Sequence, residues 1–176
     1  MKKKLLLLAT ITFLSKILLA QSVSLNGTSQ YVNLGNDPSN HLSNFTLEAW
    51  IKIEGTGITT STGSGGVTIV PILAKGRAEA ELPAVDVNYF LGYDPATNKL
   101  TADFEDNATS ANHPVTGNAT LGTCWTHVAA TYNVTLHRWK LYVNGILDKT
   151  LDLGASFTPQ SLSNVSASVD FRPYQL

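Results

Sequence analysis

Two short acidic runs, Glu79-Ala80-Glu81 and Asp103-Phe104-Glu105-Asp106, hold the residue types that acid–base chemistry on a sugar bond would need. Such hydrolysis takes two carboxylates roughly 5 to 10 Å apart across the scissile bond. In a strand, side chains two apart face the same way, so Asp103 and Glu105 share a face. No third acid follows them in register, and Glu79-Ala80-Glu81 precedes Leu82-Pro83 in a loop. Nothing marks a nucleophile either. There is no Gly-x-Ser-x-Gly, and the four histidines, His41, His113, His127 and His137, are scattered. No His/Cys spacing points to zinc. Asp103, Glu105, Asp106 and Asn107 make an oxygen-rich run of the kind calcium uses, but the run reads first as a solvated turn. Aromatic rings are the remaining chemistry. Sugars stack apolar faces on rings while polar neighbours fix orientation. Trp50, Trp125 and His127, with Glu48 and Lys52 nearby, are the candidates for such a platform.

These residues must be positioned by strands. Phe45 to Ile53 alternates strictly: Phe45, Leu47, Ala49, Ile51 and Ile53 on one face, and Thr46, Glu48, Trp50 and Lys52 on the other. A helix does not keep that alternation over nine residues. Val23 to Leu25, Tyr31 to Leu34, Val67 to Lys75, Val87 to Tyr93 and Leu100 to Phe104 read as further strands. Pro71 marks an edge or a bulge. Gly55 to Gly66 reads as a flexible loop, and Asp106 to Gly122 as polar and irregular. In Trp125 to Tyr132, Trp125, His127 and Thr131 oppose Val128, Ala130 and Tyr132. In Trp139 to Val143, Trp139, Leu141 and Val143 oppose Lys140 and Tyr142. Asn144-Gly145 is the preferred pair for a two-residue hairpin turn, and Leu147, Lys149 and Leu151 continue on the returning strand. Short strands and frequent turns predict an all-β sandwich.

Composition narrows the setting. The 176 residues are 43% hydrophobic and only 14% charged, against roughly 25% charged in an average soluble domain. Lys2, Lys3, Lys4 and Lys16 fall in the first twenty positions with no acid among them. Beyond that stretch, eight basic residues face thirteen acidic ones, a net of −5. A basic nucleic-acid binder is not expected, since phosphate neutralisation needs clustered cations. Lys2-Lys3-Lys4, the uncharged run Leu5 to Leu14 and a small residue at Ala20 describe a secretory signal peptide over residues 1–20. Lys16 cuts the apolar run below the about 20 residues of a membrane span, so no stable span is expected after cleavage. The expected destination is secreted, extracellular or at the cell surface. Cys124 is the sole cysteine, which forbids an intrachain disulfide and reads as a small buried hydrophobe.

The ordered segments carry a resemblance. Val23-Ser24-Leu25-Asn26-Gly27-Thr28-Ser29-Gln30-Tyr31-Val32, Phe45 to Lys52, Ile72-Leu73-Ala74-Lys75-Gly76, Trp125 to Tyr132 and Leu141-Tyr142-Val143-Asn144-Gly145 together resemble the laminin-G-like, concanavalin A-like lectin/glucanase domains. The resemblance implies a two-sheet antiparallel jelly-roll sandwich over residues 21–154. It also implies a choice of functions, because this fold hosts lectins, adhesion modules and glycoside hydrolases. Laminarinase-like members carry an acid pattern resembling Glu-x-Asp-x-Glu, which this chain lacks, so the expectation is no enzyme. Related domains often bind calcium near the turn that corresponds to Asn26-Gly27, which leaves calcium as a candidate cofactor. Their closing strand, of the type Phe-x-Gly-x-Ile-Asp-Glu-Val-Arg, has no match in residues 155–176. An atypical tail and a missing closing C-terminal strand are therefore expected. The resulting reading is a secreted, non-enzymatic recognition module that binds carbohydrate or a cell-surface ligand through Trp50, Trp125 and His127. The alternatives are a structural or adhesion module that binds protein, and a non-catalytic fragment of a carbohydrate-active enzyme.

Overall fold

The computed structural model describes residues 22–25, 29–55, 57–76, 87–161 and 167–169. The signal-peptide segment, Glu79 to Glu81 and the Asn26-Gly27 turn lie outside the described residues. Eleven strands are described: β1 (Val32–Gly35), β2 (Phe45–Ile51), β3 (Thr60–Ser61), β4 (Thr68–Lys75), β5 (Tyr89–Asp94), β6 (Lys99–Asp103), β7 (Val115–Thr120), β8 (Thr126–Asn133), β9 (Arg138–Val143), β10 (Ile146–Asp152) and β11 (Ala167–Val169). The larger sheet runs β1-β11-β4-β5-β6-β7, with β3 paired to β4; the smaller runs β10-β9-β8-β2. All pairings are antiparallel. This is the expected all-β jelly-roll sandwich.

The alternation in the sequence is the cause. Phe45, Leu47 and Ile51 of β2 are buried while Thr46, Glu48 and Trp50 are exposed. On β8 and β9, Val128, Ala130, Tyr132, Trp139 and Leu141 face the core. Leu91, Leu100, Ala102 and Phe104 meet them from the larger sheet. Trp139 is the central side chain: its ring lies 5.2 Å from Tyr132 and 5.5 Å from both Phe45 and Phe104. Asn144 and Gly145 take φ of 50° and 76°, as their two-residue turn requires. Pro71 sits where β4 loses register against β5, so it marks a bulge and not an edge.

Several expectations are corrected. Val23 to Leu25 forms no strand. The stretch read as irregular contains β7. Cys124, expected to be buried, is exposed, because β8 begins two residues later and leaves it in the preceding turn. The closing strand expected to be missing is present in short form as β11, which lies between β1 and β4. Strand pairing engages backbone N–H and C=O groups, which every non-proline residue offers. A segment without the family's side-chain signature can therefore occupy that place.

One side of the sandwich is fastened by a single carboxylate. A register shift between Leu147 and Lys149 turns Asp148 out of the β10 ladder. Its carboxylate accepts the N–H groups of Asn118 at 2.8 Å and Ala119 at 2.9 Å on β7, and its carbonyl accepts Asn118 Nδ2 at 2.8 Å. Gly117 allows this approach, since a Cβ there would collide with Asp148 Oδ2. Gly117→Ala is therefore expected to destabilise the fold by about 2 kcal/mol through overpacking and loss of charge-assisted hydrogen bonds. Urea unfolding checks this; an unchanged midpoint would refute the fastening.

Candidate functional site

The outer face of the smaller sheet brings Trp50 and His127 together. Strand register puts Trp50 directly across from His127. Their rings lie 5.4 Å apart at 56°. Trp125 has the parity of His127 but precedes β8 by one residue, outside the ladder. Trp50 is 62% exposed and Trp125 51%. His127 Nε2 lies 3.6 Å from Glu48 Oε2. The backbone N–H of His127 donates to Asn144 Oδ1 at 3.0 Å, so the β9–β10 turn holds this end of the platform. The next row of the face is Glu48, Ala129, Tyr142 and Leu147. Lys52, expected near the platform, is exposed and ion-paired with Glu54.

A groove of about 440 Å³ occupies the other end of this face. Thr46, Thr131, Lys140, Tyr142 and Arg138 line it, and Leu136 of the β8–β9 turn walls it. That turn is tied down: Val134 N–H donates to Asn44 Oδ1 at 2.9 Å, and Leu136 N–H to Asn133 Oδ1 at 2.8 Å. Sequence reasoning put Lys140 and Tyr142 on the face away from the core but missed the groove. Its wall comes from a turn and from Asn44, ninety residues earlier than the Val134 it holds.

The acidic run Asp103 to Asp106 is placed very differently from an open site. Asp103 has no exposed surface, Glu105 is 7% exposed and Asp106 1%. The loop after β3 covers Asp103. Thr62 Oγ1 donates to Asp103 Oδ2 at 2.6 Å, and His113 N–H to Oδ1 at 3.0 Å. The loop expected to be flexible is thus docked on the larger sheet, and Asn112 Nδ2 adds a bond to Ser64 O at 3.1 Å. Burial pushes the Asp103 carboxyl up to about 7, against the hydrogen bonds it accepts. Glu105 Oε1 accepts from Gln160 Nε2 at 2.7 Å. Asp106 is also opposed by burial, but donors from Thr109, Ala108 and His113 outweigh it and bring the carboxyl down to about 2. These carboxylates do not fit calcium: each is engaged by protein donors, and they do not converge. Among the described residues no group of three or more His, Cys, Asp or Glu could hold a metal ion.

A two-sheet jelly roll with two exposed tryptophans and a buried acidic run has the build of a lectin-like domain. The chain belongs to the Concanavalin A-like lectin/glucanases superfamily, whose Laminin_G_3 profile matches residues 26–170. Among solved structures, it is similar to the carbohydrate-binding module of the Ruminococcus gnavus IT-sialidase, described as CBM40. The free module is 14% identical, with a TM-score of 0.59 over 89% of this chain and 80% of that one. The module bound to α2,3 sialyllactose is 14% identical, with a TM-score of 0.58 over 87% and 80%. At that identity the likeness shows the fold. No curated protein matches the chain. Among the described residues, no helix is long and apolar enough to cross a membrane.

Proposed function

We propose that this chain is an exported, non-enzymatic module that binds carbohydrate on the outer face of its smaller sheet. Trp50 and Trp125 supply stacking surfaces, and His127 supplies a polar contact between them. The observation that carries this reading is that Trp50, packed against His127 on the outer sheet face, and Trp125, just before β8, are each more than half exposed. Trp is highly buried on average, and an exposed pair on a rigid strand scaffold is poised to be covered by a ligand with an apolar face. The signal-peptide pattern of residues 1–20 supports export, and the sugar-bound module of the same fold supports the ligand class. The buried acids argue against catalysis.

A glycan array followed by calorimetry tests the reading. Wild type is expected to bind saturably. Trp50→Ala is expected to weaken binding at least tenfold, a loss of about 1.4 kcal/mol, with the unfolding midpoint unchanged because the ring packs outside the core. Retention of full affinity by both Trp50→Ala and Trp125→Ala would sink the platform. A second reading, an adhesion module that contacts protein, is favoured by Ile146 at 73% and Leu147 at 51% exposed, beside Tyr142. Capture of a protein partner without glycan binding, lost in Leu147→Asp, would select it.

A further inference from the structure

The groove next to Tyr142 is unlike the tryptophan end of the face, and the difference lies in its charge. In the row that crosses the groove, Lys140 stands between Thr131 and Thr150, with Thr46 beyond Thr131. No acid lies in that row. Lys140 has no ion-pair partner among the described residues. In the next row, Arg138 Nη2 pairs with Asp152 Oδ2 at 2.8 Å, while Arg138 Nε has no acceptor. The facing acids are Asp152, already paired, and Glu48, which lies on β2 beside His127. A partnerless ammonium in a groove walled by a tethered turn departs from a chain whose net charge beyond residue 20 is −5. Trp50 is four residues along the strands and two strands across from Lys140, about 14 Å and about 10 Å respectively. One ligand reaches both only if it is longer than a single sugar ring.

We infer that the ligand of this face is an extended acidic oligosaccharide, one unit stacked on the Trp50 and Trp125 platform and a carboxylate- or sulfate-bearing unit seated in the groove against Lys140. This rests on the carbohydrate-binding reading above. A compact ammonium among threonine hydroxyls suits an anionic oxygen, because charge-assisted hydrogen bonds are about twice as strong as neutral ones. The threonines and the amides of Asn44 and Asn133 offer neutral donors around it. The tied turn means the groove needs no reordering before it is filled.

The experiment uses the purified protein and matched glycan pairs on an array, then in calorimetry. The pairs are uronate oligosaccharides against their methyl esters, and sulfated oligosaccharides against their desulfated forms. The two arms distinguish carboxylate from sulfate. Wild type is expected to prefer the acidic member of a pair at least fivefold at low salt, with the preference shrinking as salt rises. Lys140→Gln is expected to bring the pair within twofold of each other, and Lys140→Arg to restore the preference. Trp50→Ala is expected to weaken both members alike. Equal binding of acidic and neutral members by wild type, or an undiminished preference in Lys140→Gln, overturns this inference and leaves the platform standing. Absence of any bound glycan overturns the carbohydrate reading and this inference with it.

Discussion

Trp139→Ala is expected to lower stability by about 4 kcal/mol, within the range for large aromatic truncations in cores. The side chain is fully buried and touches rings from both sheets: Phe45 and Tyr132 from the smaller, and Phe104 at the end of β6 in the larger. Truncation opens a void that none of these rings can fill without leaving its own contacts. It also removes the indole N–H that donates to His113 O at 2.9 Å, leaving that carbonyl without its donor. Trp139→Phe keeps most of the packing and loses the hydrogen bond, so a smaller loss, about 1 to 2 kcal/mol, is expected. Urea unfolding with glycan binding measured in parallel separates the three tryptophans. Trp139 should move stability, and Trp50 and Trp125 should move binding. A Trp139→Ala protein as stable as wild type would contradict the central place given to this residue.

Stability should also fall as pH rises through the range set by Asp103, which is opposite to the usual behaviour of a paired carboxylate. Its folded pKa, about 7, stands above the unfolded value of 3.8. Below pH 3.8 both states hold the proton and the group is neutral in effect. Between the two values the unfolded chain releases the proton while the folded chain keeps it, so stability declines. Above about 7 the full penalty remains, about 4 kcal/mol for a shift of about three units. Asp106 has the opposite sign: lowered to about 2, it contributes stability above 3.8 that is lost as pH falls from there toward 2. Asp103→Asn is expected to abolish the decline between pH 4 and 8. The amide can accept from His113 N–H and donate to Thr62 Oγ1, whose hydroxyl then donates to Val67 O, 3.2 Å away. Unfolding free energies of the two proteins across that range check it. Parallel curves would show that Asp103 carries no such penalty.

The parts of this molecule that were readable in the sequence are those where one face of a strand meets the core and the other meets water. Phe45 to Ile51 alternates because Leu47 is packed and Glu48 is wet, and Asn144-Gly145 names its own turn. The outward aim of Trp50 follows from the same parity. Elements held by something other than local pattern escaped. β7 carries one large apolar residue, Val115, and owes its edge to Asp148 on another sheet. β11 is recognised only through the backbones on either side of it. The spacing of Asp103 and Glu105 says nothing of their burial: Asp103 is capped by the docked Thr62 loop, and sequence spacing carries no trace of that contact. The groove is of the same kind, since a lysine opposite the core acquires its meaning from a distant asparagine and a turn.

The bond from His127 N–H to Asn144 Oδ1 has a consequence for the thermodynamics of recognition. Asn144 serves the hairpin by accepting a positive φ, and its side chain also clips the strand that carries the platform histidine. For the ligand proposed above, the Trp50 and His127 rings are thereby arrayed before it arrives. Association then has little protein disorder to suppress, and the entropy surrendered falls mainly on the incoming molecule.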